Sequence, residues 1–503
     1  MKTWKKILAV ILAGAMALAM ASCGSPKKTN ATISIGVPFN YDSVDPHRDF
    51  QGWYTSIYGV TESLFRMGDN GTLEPCLAKS ASLSDNVWTV KLCRNARFSN
   101  GNPVTSDLVA RNLKRAGQEN PQYAVFTQLR YDTSKKHTLR IITKDGIPTL
   151  KNTLSSPCLG IIDLDASKDP DKAIVGTGPF ILKNFDPEGI VSVLRNENYW
   201  DGTVSLAGAR FITEKQDAPK LFGMQNGYLD AVTNVTSDAY PSYQENADKY
   251  KAHSVEGSRL LFFYLNQKTL DKTVRTVING YLDKKFVEKF SNGMLTATNG
   301  PFNENVSYGK VKAPRNLSAE ECRELLKKDG YTAGEDGILE KDGKSLRLRV
   351  ETYGMYNLDA FAKLMQKQLK QIGIACDIQT EKDPDSTYMK DGDFDIAFYS
   401  LIPDKENDPY EFLEKTMGPN GKRNVCGYGS KETNALLAQL RTEPRPEKRA
   451  KLARELVQKA IDSGCFGYIG LVNKVTVLRN GISGLSETSP YDFYCLTART
   501  TLQ

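Results

Sequence analysis

Leu358, Phe361, Met365, Leu369 and Ile372 recur at intervals of three and four residues, Gly373 follows them, and residues 374–378 then alternate as in a strand. Such intervals place five apolar side chains on one stripe of a helix, and the glycine offers the left-handed conformation that ends it. A helix with one apolar stripe and a strand with one apolar face bury both by packing together, so this unit predicts α/β layers joined by crossovers. The same grammar recurs. Ser318 followed by Glu321 is a capping box opening a helix through Lys328, and residues 446–463 read as a helix with Pro446 at its start and Gly464 at its end. In the first half, residues 32–37 alternate as a strand, residues 77–83 and 87–93 flank an Asp85-Asn86 turn as a hairpin, and Ser106 and Asp107 are placed to cap a helix toward Ala116. There is no internal repeat and no low-complexity tract.

The apolar run from Leu260 to Leu265, ending at Asn266, and the strand region 468–477 bracket about 200 residues with helices and strands of their own. A chain that leaves one lobe, builds a second and returns predicts a two-strand hinge, a connection that allows closure around a ligand. Length is compatible with two or three domains, and 40% hydrophobic with 9% aromatic residues suffices for large cores.

The first residues read as an export leader. Lys2, Lys5 and Lys6 precede an uncharged run from residue 7 to 21, which ends in Met20-Ala21-Ser22-Cys23. The run is shorter than the roughly 20 apolar residues that span a bilayer, which predicts removal of residues 1–22. The ending resembles the lipobox of bacterial lipoproteins, with Met20 in place of the usual leucine. That resemblance implies cleavage before Cys23 and a diacylglyceryl group on its sulfur, and two acyl chains hold a protein stably at a membrane. Residues 23–30 have little to bury and read as a flexible tether. Loss of the three leader lysines lowers the formal charge from +7 to about +4 over some 480 residues, with no polybasic block for nucleic acid.

Catalytic and metal chemistry find few tools. There is no HExxH, GxSxG, GxGxxG or CxxC, and His47, His137 and His253 lie far apart in sequence. Gly343-Lys344-Ser345 resembles the end of a phosphate loop, but residue 338, where its first glycine belongs, is isoleucine. Asp391 and Asp393 flank Gly392 as a solvated turn. Of the eight cysteines after Cys23, Cys76 and Cys93 sit symmetrically about the hairpin turn, and spacing alone leaves a disulfide and two free thiols open.

Val44-Asp45-Pro46, Glu74-Pro75-Cys76-Leu77-Ala78, Phe98-Ser99-Asn100-Gly101, Gly176-Thr177-Gly178-Pro179-Phe180 and Arg195-Asn196-Glu197-Asn198-Tyr199-Trp200 form an ordered set. Asn226-Gly227-Tyr228-Leu229-Asp230, Leu265-Asn266, Arg275 ahead of Asp283, Leu369-Lys370-Gln371-Ile372-Gly373-Ile374, Phe394-Asp395-Ile396 and Asp408-Pro409 extend it over nearly the whole chain. In order and spacing it resembles the solute-binding proteins, family 5, of peptide and nickel ABC importers. The resemblance implies a two-lobed periplasmic-binding-protein-like α/β fold (type II, cluster C) with an elaborated first lobe. Lobe I is expected over 31–262, lobe II over 263–473, and a return to lobe I over 474–503. It also implies a monomeric, non-enzymatic binder without a cofactor, which delivers its ligand to permease and ATPase subunits.

In peptide binders of this family an Asp shortly before the Asp-Pro element pairs with the ligand ammonium, and Asp404 stands one position from that spacing. Loops facing such a cleft carry Tyr41, Asp49, Phe50, Trp53 and Tyr54 on the first lobe and Tyr399, Asn424 and Tyr428 on the second. Several phrases are closest to the nickel branch. Yet that branch's carboxylate-binding arginines, stacking tryptophan and metal-ligating histidine fall near Gln122 and Ser156, Val125 and Gly421, which offer no such chemistry. A short peptide is therefore the expected ligand, with a nickel or other metal chelate as the alternative and a cell-surface peptidase as the rival from another class.

Overall fold

The computed structural model describes residues 27–503, apart from 69, 70, 145, 284, 405, 486, 492 and 493. Cys23 and the expected leader lie outside the described residues. An eleven-stranded mixed sheet runs through both lobes, and two long antiparallel strands, Tyr250–Leu265 and Phe466–Arg479, form its centre. On the second-lobe side follow Ile396–Leu401, Arg347–Tyr353 and Ala375–Glu381; on the first-lobe side follow Ala231–Thr233, Thr32–Val37, Gly208–Thr213, Ile190–Arg195 and Phe180–Asn184. Leu295–Ala297 pairs beside Phe466–Arg479. The expected boundaries at 262 and 473 fall inside the two long strands.

Helix Leu358–Lys370 buries Leu358, Phe361, Met365 and Leu369, Gly373 takes φ +82°, and strand Ala375–Glu381 pairs in parallel with Arg347–Tyr353. Ser318 and Glu321 form a complete capping box on helix Ala319–Lys328, while helix Pro446–Ser463 ends at Gly464 with φ +74°. The hairpin is Ala78–Ser84 with Val87–Leu92; Asp85 and Asn86 both have positive φ, as a tight primed turn requires. One expectation shifts by a residue. Helix Ser106–Glu119 is capped by Thr105, whose Oγ1 accepts the Leu108 N–H, because the Ser106 hydroxyl donates to the Thr133 and Lys135 carbonyls.

The expected tether also shortens. The Thr29 N–H donates to Ser205 O at 2.9 Å, Ser205 Oγ donates to Lys27 O, and Lys28 pairs with Glu197, so residues 27–30 dock on the first lobe. Gly343 closes a hairpin turn between short strands Leu339–Lys341 and Lys344–Ser345, a geometry unlike a phosphate loop. Asp393 pairs with Arg349 beside the left-handed Gly392, as a solvated turn would.

Core clusters follow the lobes. One spans Leu260 to Leu471, a second gathers the hairpin sheet with helix Ser106–Glu119, and two smaller ones surround strand Thr32–Val37 and the ends of the long strands. Trp200 and Tyr199 donate to the two oxygens of Glu62 at 2.8 Å each, and burial pushes that carboxyl up to about 6. The Asn-Tyr-Trp phrase thus holds the first lobe together.

Candidate functional site

A cavity of about 790 Å³ lies where the long strands cross between the lobes. The strand Tyr250–Leu265 breaks register between Val255 and Arg259, and there Gly257, Ser258 and Arg259 line the cavity. Gly257 has a steric reason: a Cβ there would stand 2.2 Å from Val472 O. The facing strand contributes Val472, Asn473, Lys474 and Thr476.

The first-lobe wall is aromatic. Phe50 and helix Gln51–Ile57 present Trp53 and Tyr54, because Gly52 on the opposite side lets the helix lie against residues 157–159; a Cβ at Gly52 would stand 2.3 Å from Pro157 O. Tyr41 meets Tyr54 with ring centroids 4.4 Å apart, Phe39 joins both, and Phe50 packs 5.5 Å from Trp53. Phe39, Tyr41 and Phe50 are 46%, 37% and 42% exposed, so these rings offer apolar surface to a ligand. Behind them the Tyr58 hydroxyl donates to Asn40 Oδ1, and Asn40 Nδ2 donates to Thr213 Oγ1, which fixes Asn40 at the cavity edge.

Three charged side chains line the space, and their bonding differs. Lys474 Nζ donates to the carbonyls of Ser489 and Tyr491 at 3.2 and 3.3 Å, tying the C-terminal segment to the hinge. Arg259 has no salt bridge among the described residues; its guanidinium lies 5.0 Å from the Tyr356 ring centroid. Tyr356 and Asn357 hold φ of 55° and 57°, a left-handed conformation that costs an aromatic residue energy and sets the ring beneath Arg259. Exposed Asp238 accepts from the Ser237 hydroxyl at 3.4 Å and has no cation partner among the described residues. Opposite charges, aromatic rings and the amides of Asn40, Asn234 and Asn357 suit a small zwitterionic organic solute.

Of the residues expected to meet a ligand, Tyr41, Phe50, Trp53 and Tyr54 line this cavity. The other five lie elsewhere. Asp49 is exposed, with its carbonyl accepting from Asn120. Tyr399 does not line the cavity; it donates to Asp385 at 2.7 Å and lies beneath Arg423. Asn424 donates to the Gly418 and Tyr428 carbonyls, and Tyr428 packs on Phe466 within the second-lobe core. Tyr399, Asn424 and Tyr428 are thus taken up in contacts within the second lobe.

Asp404 is 4% exposed, receives the Tyr308 hydroxyl at 3.4 Å and is pushed up to about 6 by burial. It sits behind an inter-lobe contact: Asn152 Nδ2 donates to the Glu406 and Asn407 carbonyls at 3.0 Å, and Asn407 Nδ2 donates to Gly71 O. The expected ammonium anchor is thus part of a lobe junction, beside the cavity and off its wall. Arg259, Asp238 and Tyr356 were missed by the sequence reading. Arg259 had one local signal, a charge set directly before the six apolar residues 260–265.

Gln122, Val125, Ser156 and Gly421 do not line the cavity, and no group of three or more His, Cys, Asp and Glu side chains among the described residues is placed to hold a metal ion. No described helix is long and apolar enough to cross a membrane. The family model for bacterial extracellular solute-binding proteins, family 5 middle, matches residues 72–424. The chain belongs to this family. It is a solute-binding protein and not an enzyme, and it works outside the cytoplasm.

Among similar proteins, the nickel-binding protein NikA of Staphylococcus aureus is 24% identical over 494 residues, covering 97% of each chain. The dipeptide-binding protein DppE of Bacillus subtilis is 23% identical over 500 residues, covering 91% of this chain and 88% of its own. Among solved structures, a nickel ABC transporter protein from Bacillus halodurans superposes with a TM-score of 0.82 at 24% identity, over 94% of this chain and 100% of that one. The oligopeptide-binding protein AppA of Bacillus subtilis, in complex with a nonapeptide, gives 0.73 at 17% identity, over 95% of this chain and 100% of its own. The family 5 two-lobed fold is therefore common to both kinds of binder.

Proposed function

We propose that this chain is the receptor of an ABC importer for a short peptide, held between the lobes by its two charged ends. The guanidinium of Arg259, which has no salt bridge among the described residues, carries the proposal. Stacked on Tyr356 in a sheltered cavity, it suits the ligand carboxylate, while Asp238 takes the ammonium and the ring cluster of Phe39, Tyr41, Phe50, Trp53 and Tyr54 covers side chains. A net of about −8 kcal/mol, micromolar affinity, lies within reach of one ion pair at each end and this apolar wall after ordering costs.

A second reading, a metal complex of amino acids, is favoured by the 97% coverage of the Staphylococcus aureus nickel binder. Its carboxylates would meet the same arginine, and its metal would bring its own ligands. Mass spectrometry of solute carried through purification, with metal analysis of the same sample, separates the two. Intact peptide without metal is the expected outcome; stoichiometric nickel with free amino acids replaces the first reading by the second. Added peptide should raise stability by about 2.7 kcal/mol at a hundredfold excess over Kd, and turnover of the peptide would contradict both readings.

The receptor acts as a monomer, held to the membrane by a diacylglyceryl group on Cys23, and passes its solute to the permease driven by an ATPase. Few residues separate Cys23 from the docked segment at Lys27, so the first lobe would be held close to the bilayer, within about 14 Å of chain. Metabolic labelling with a fatty acid, lost in Cys23→Ala, tests the anchor.

A further inference from the structure

Cys426 and Cys465 come from distant parts of the second lobe and meet at one buried point. Both are fully buried free thiols. Gln267 touches the two together: its backbone N–H donates to Cys426 O at 3.1 Å, and its Oε1 accepts from Cys465 Sγ at 3.6 Å. The Cys426 and Cys465 side chains are close enough to act on each other. The neighbouring Cys426 side chain, with the Ser463 hydroxyl and the Arg275 guanidinium close by, draws the Cys465 thiol down, whereas burial raises Cys426. Arg275 is fixed in place, donating to Ser463 O at 3.2 Å and to Leu270 O at 2.5 Å. The hairpin cysteines differ: Cys93 Sγ donates to the Cys76 carbonyl at 3.2 Å, and burial raises both thiols.

We propose that Cys426 and Cys465 are a dithiol that closes to a disulfide outside the cytoplasm, by exchange with a low-molecular-weight disulfide, RSSR. The Cys465 thiolate attacks one sulfur of RSSR, breaks its S–S bond and releases RS⁻, which takes up a proton. The Cys426 thiol gives up its proton, attacks the Cys465 sulfur of the mixed disulfide and expels the second RS⁻, which is protonated in turn. Two cysteines are oxidised and one RSSR is reduced to two RSH. Both sulfurs are covered in the folded chain, so exchange takes place during folding or while the segment after helix Tyr410–Met417 is locally open. The bond would staple that segment to the start of strand Phe466–Arg479 and close a loop holding helices Lys431–Thr442 and Pro446–Ser463. Neither cysteine lines the cavity, so the staple resists unfolding without entering the ligand site.

The test refolds the full mature chain in a buffer of reduced and oxidised glutathione, alkylates the remaining thiols and maps cysteine-containing peptides by mass spectrometry. A peptide pair linking Cys426 to Cys465, released by a phosphine reductant, is expected, with the other cysteines alkylated. The oxidised protein should melt higher than the reduced one by roughly 5 °C, and Cys426→Ser and Cys465→Ser should each abolish that difference. Full alkylation of both residues after refolding, or a link from either to a different cysteine, overturns the proposal. The mapping uses the unaltered chain, so its result stands even if a serine variant fails to fold.

Discussion

Arg449 and Arg259 both carry a guanidinium into the shelter of the molecule, and among the described residues only Arg449 finds a carboxylate there. Arg449, on helix Pro446–Ser463, donates through Nε and Nη2 to both oxygens of Asp408 at 2.9 and 2.6 Å, and through Nη1 to the Leu440 and Glu443 carbonyls. It binds the Asp-Pro turn, the end of helix Lys431–Thr442 and the start of its own helix into one unit. Arg259, at the register break of the hinge strand, has an aromatic ring beneath it and no carboxylate among the described residues. A sheltered charge that is fully paired serves the fold; one left without its counter-ion points to a partner from outside.

The largest expected effect falls on the paired residue. Arg449→Ala strands the Asp408 carboxylate and should cost about 3 to 5 kcal/mol of stability, read as a lower denaturation midpoint of the second lobe. An unchanged midpoint would remove the distinction between the two arginines. Arg259→Ala should leave that midpoint in place and weaken solute binding by about 2 to 3 kcal/mol, on the order of fiftyfold in Kd by calorimetry. A loss of stability matching that of Arg449→Ala would assign Arg259 to the fold instead.

The carboxylates extend the comparison, since Asp408 is paired with an arginine whereas Asp404 has no cation partner among the described residues and accepts from the Tyr308 hydroxyl. Burial raises Asp404 from the usual 3.8 to about 6, so the folded state keeps a proton that the unfolded state has lost between about pH 4 and pH 6. Stability from this group therefore falls as pH rises through that window and stays low above it. Asp404→Asn should stabilise the protein at pH 7.5 by on the order of 2 kcal/mol and flatten that slope. If Asp404 instead meets a ligand ammonium, the same variant will lose solute affinity, which titration of the purified variant reads directly. Trp53→Ala, on the uncharged wall, should cost about 1 kcal/mol of binding and leave the salt dependence intact, whereas Arg259→Ala should reduce it.

Much of the fold was legible because its signals are short-range. The stripe ending at Ile372, the Ser318 capping box, the Asp85-Asn86 turn and the Pro446 and Gly464 helix ends each depend on residues a few positions apart, and each forms as read. The cap at Thr105 was misread because Ser106 is bonded to carbonyls on a strand some thirty residues away. On the first-lobe wall, four of the five expected residues reach the cavity, since one short helix and the turns before it carry them together. On the second lobe all four lie off it. Tyr399 shows why: Ser400 and Leu401, the next two residues of its strand, line the cavity, while the Tyr399 hydroxyl is taken by Asp385, a partner that only the tertiary fold brings beside it.

Sequence alone determined the α/β grammar, the helix ends, the crossing of two strands between two lobes and the ordered phrases of a solute-binding family, all of which rest on local patterns or on their order. Tertiary structure alone decided which charges stay unpaired. Arg449 on its helix meets Asp408 of the Asp-Pro turn, while Arg259 at the register break meets no carboxylate among the described residues, and the state of an ion depends on what folding brings beside it.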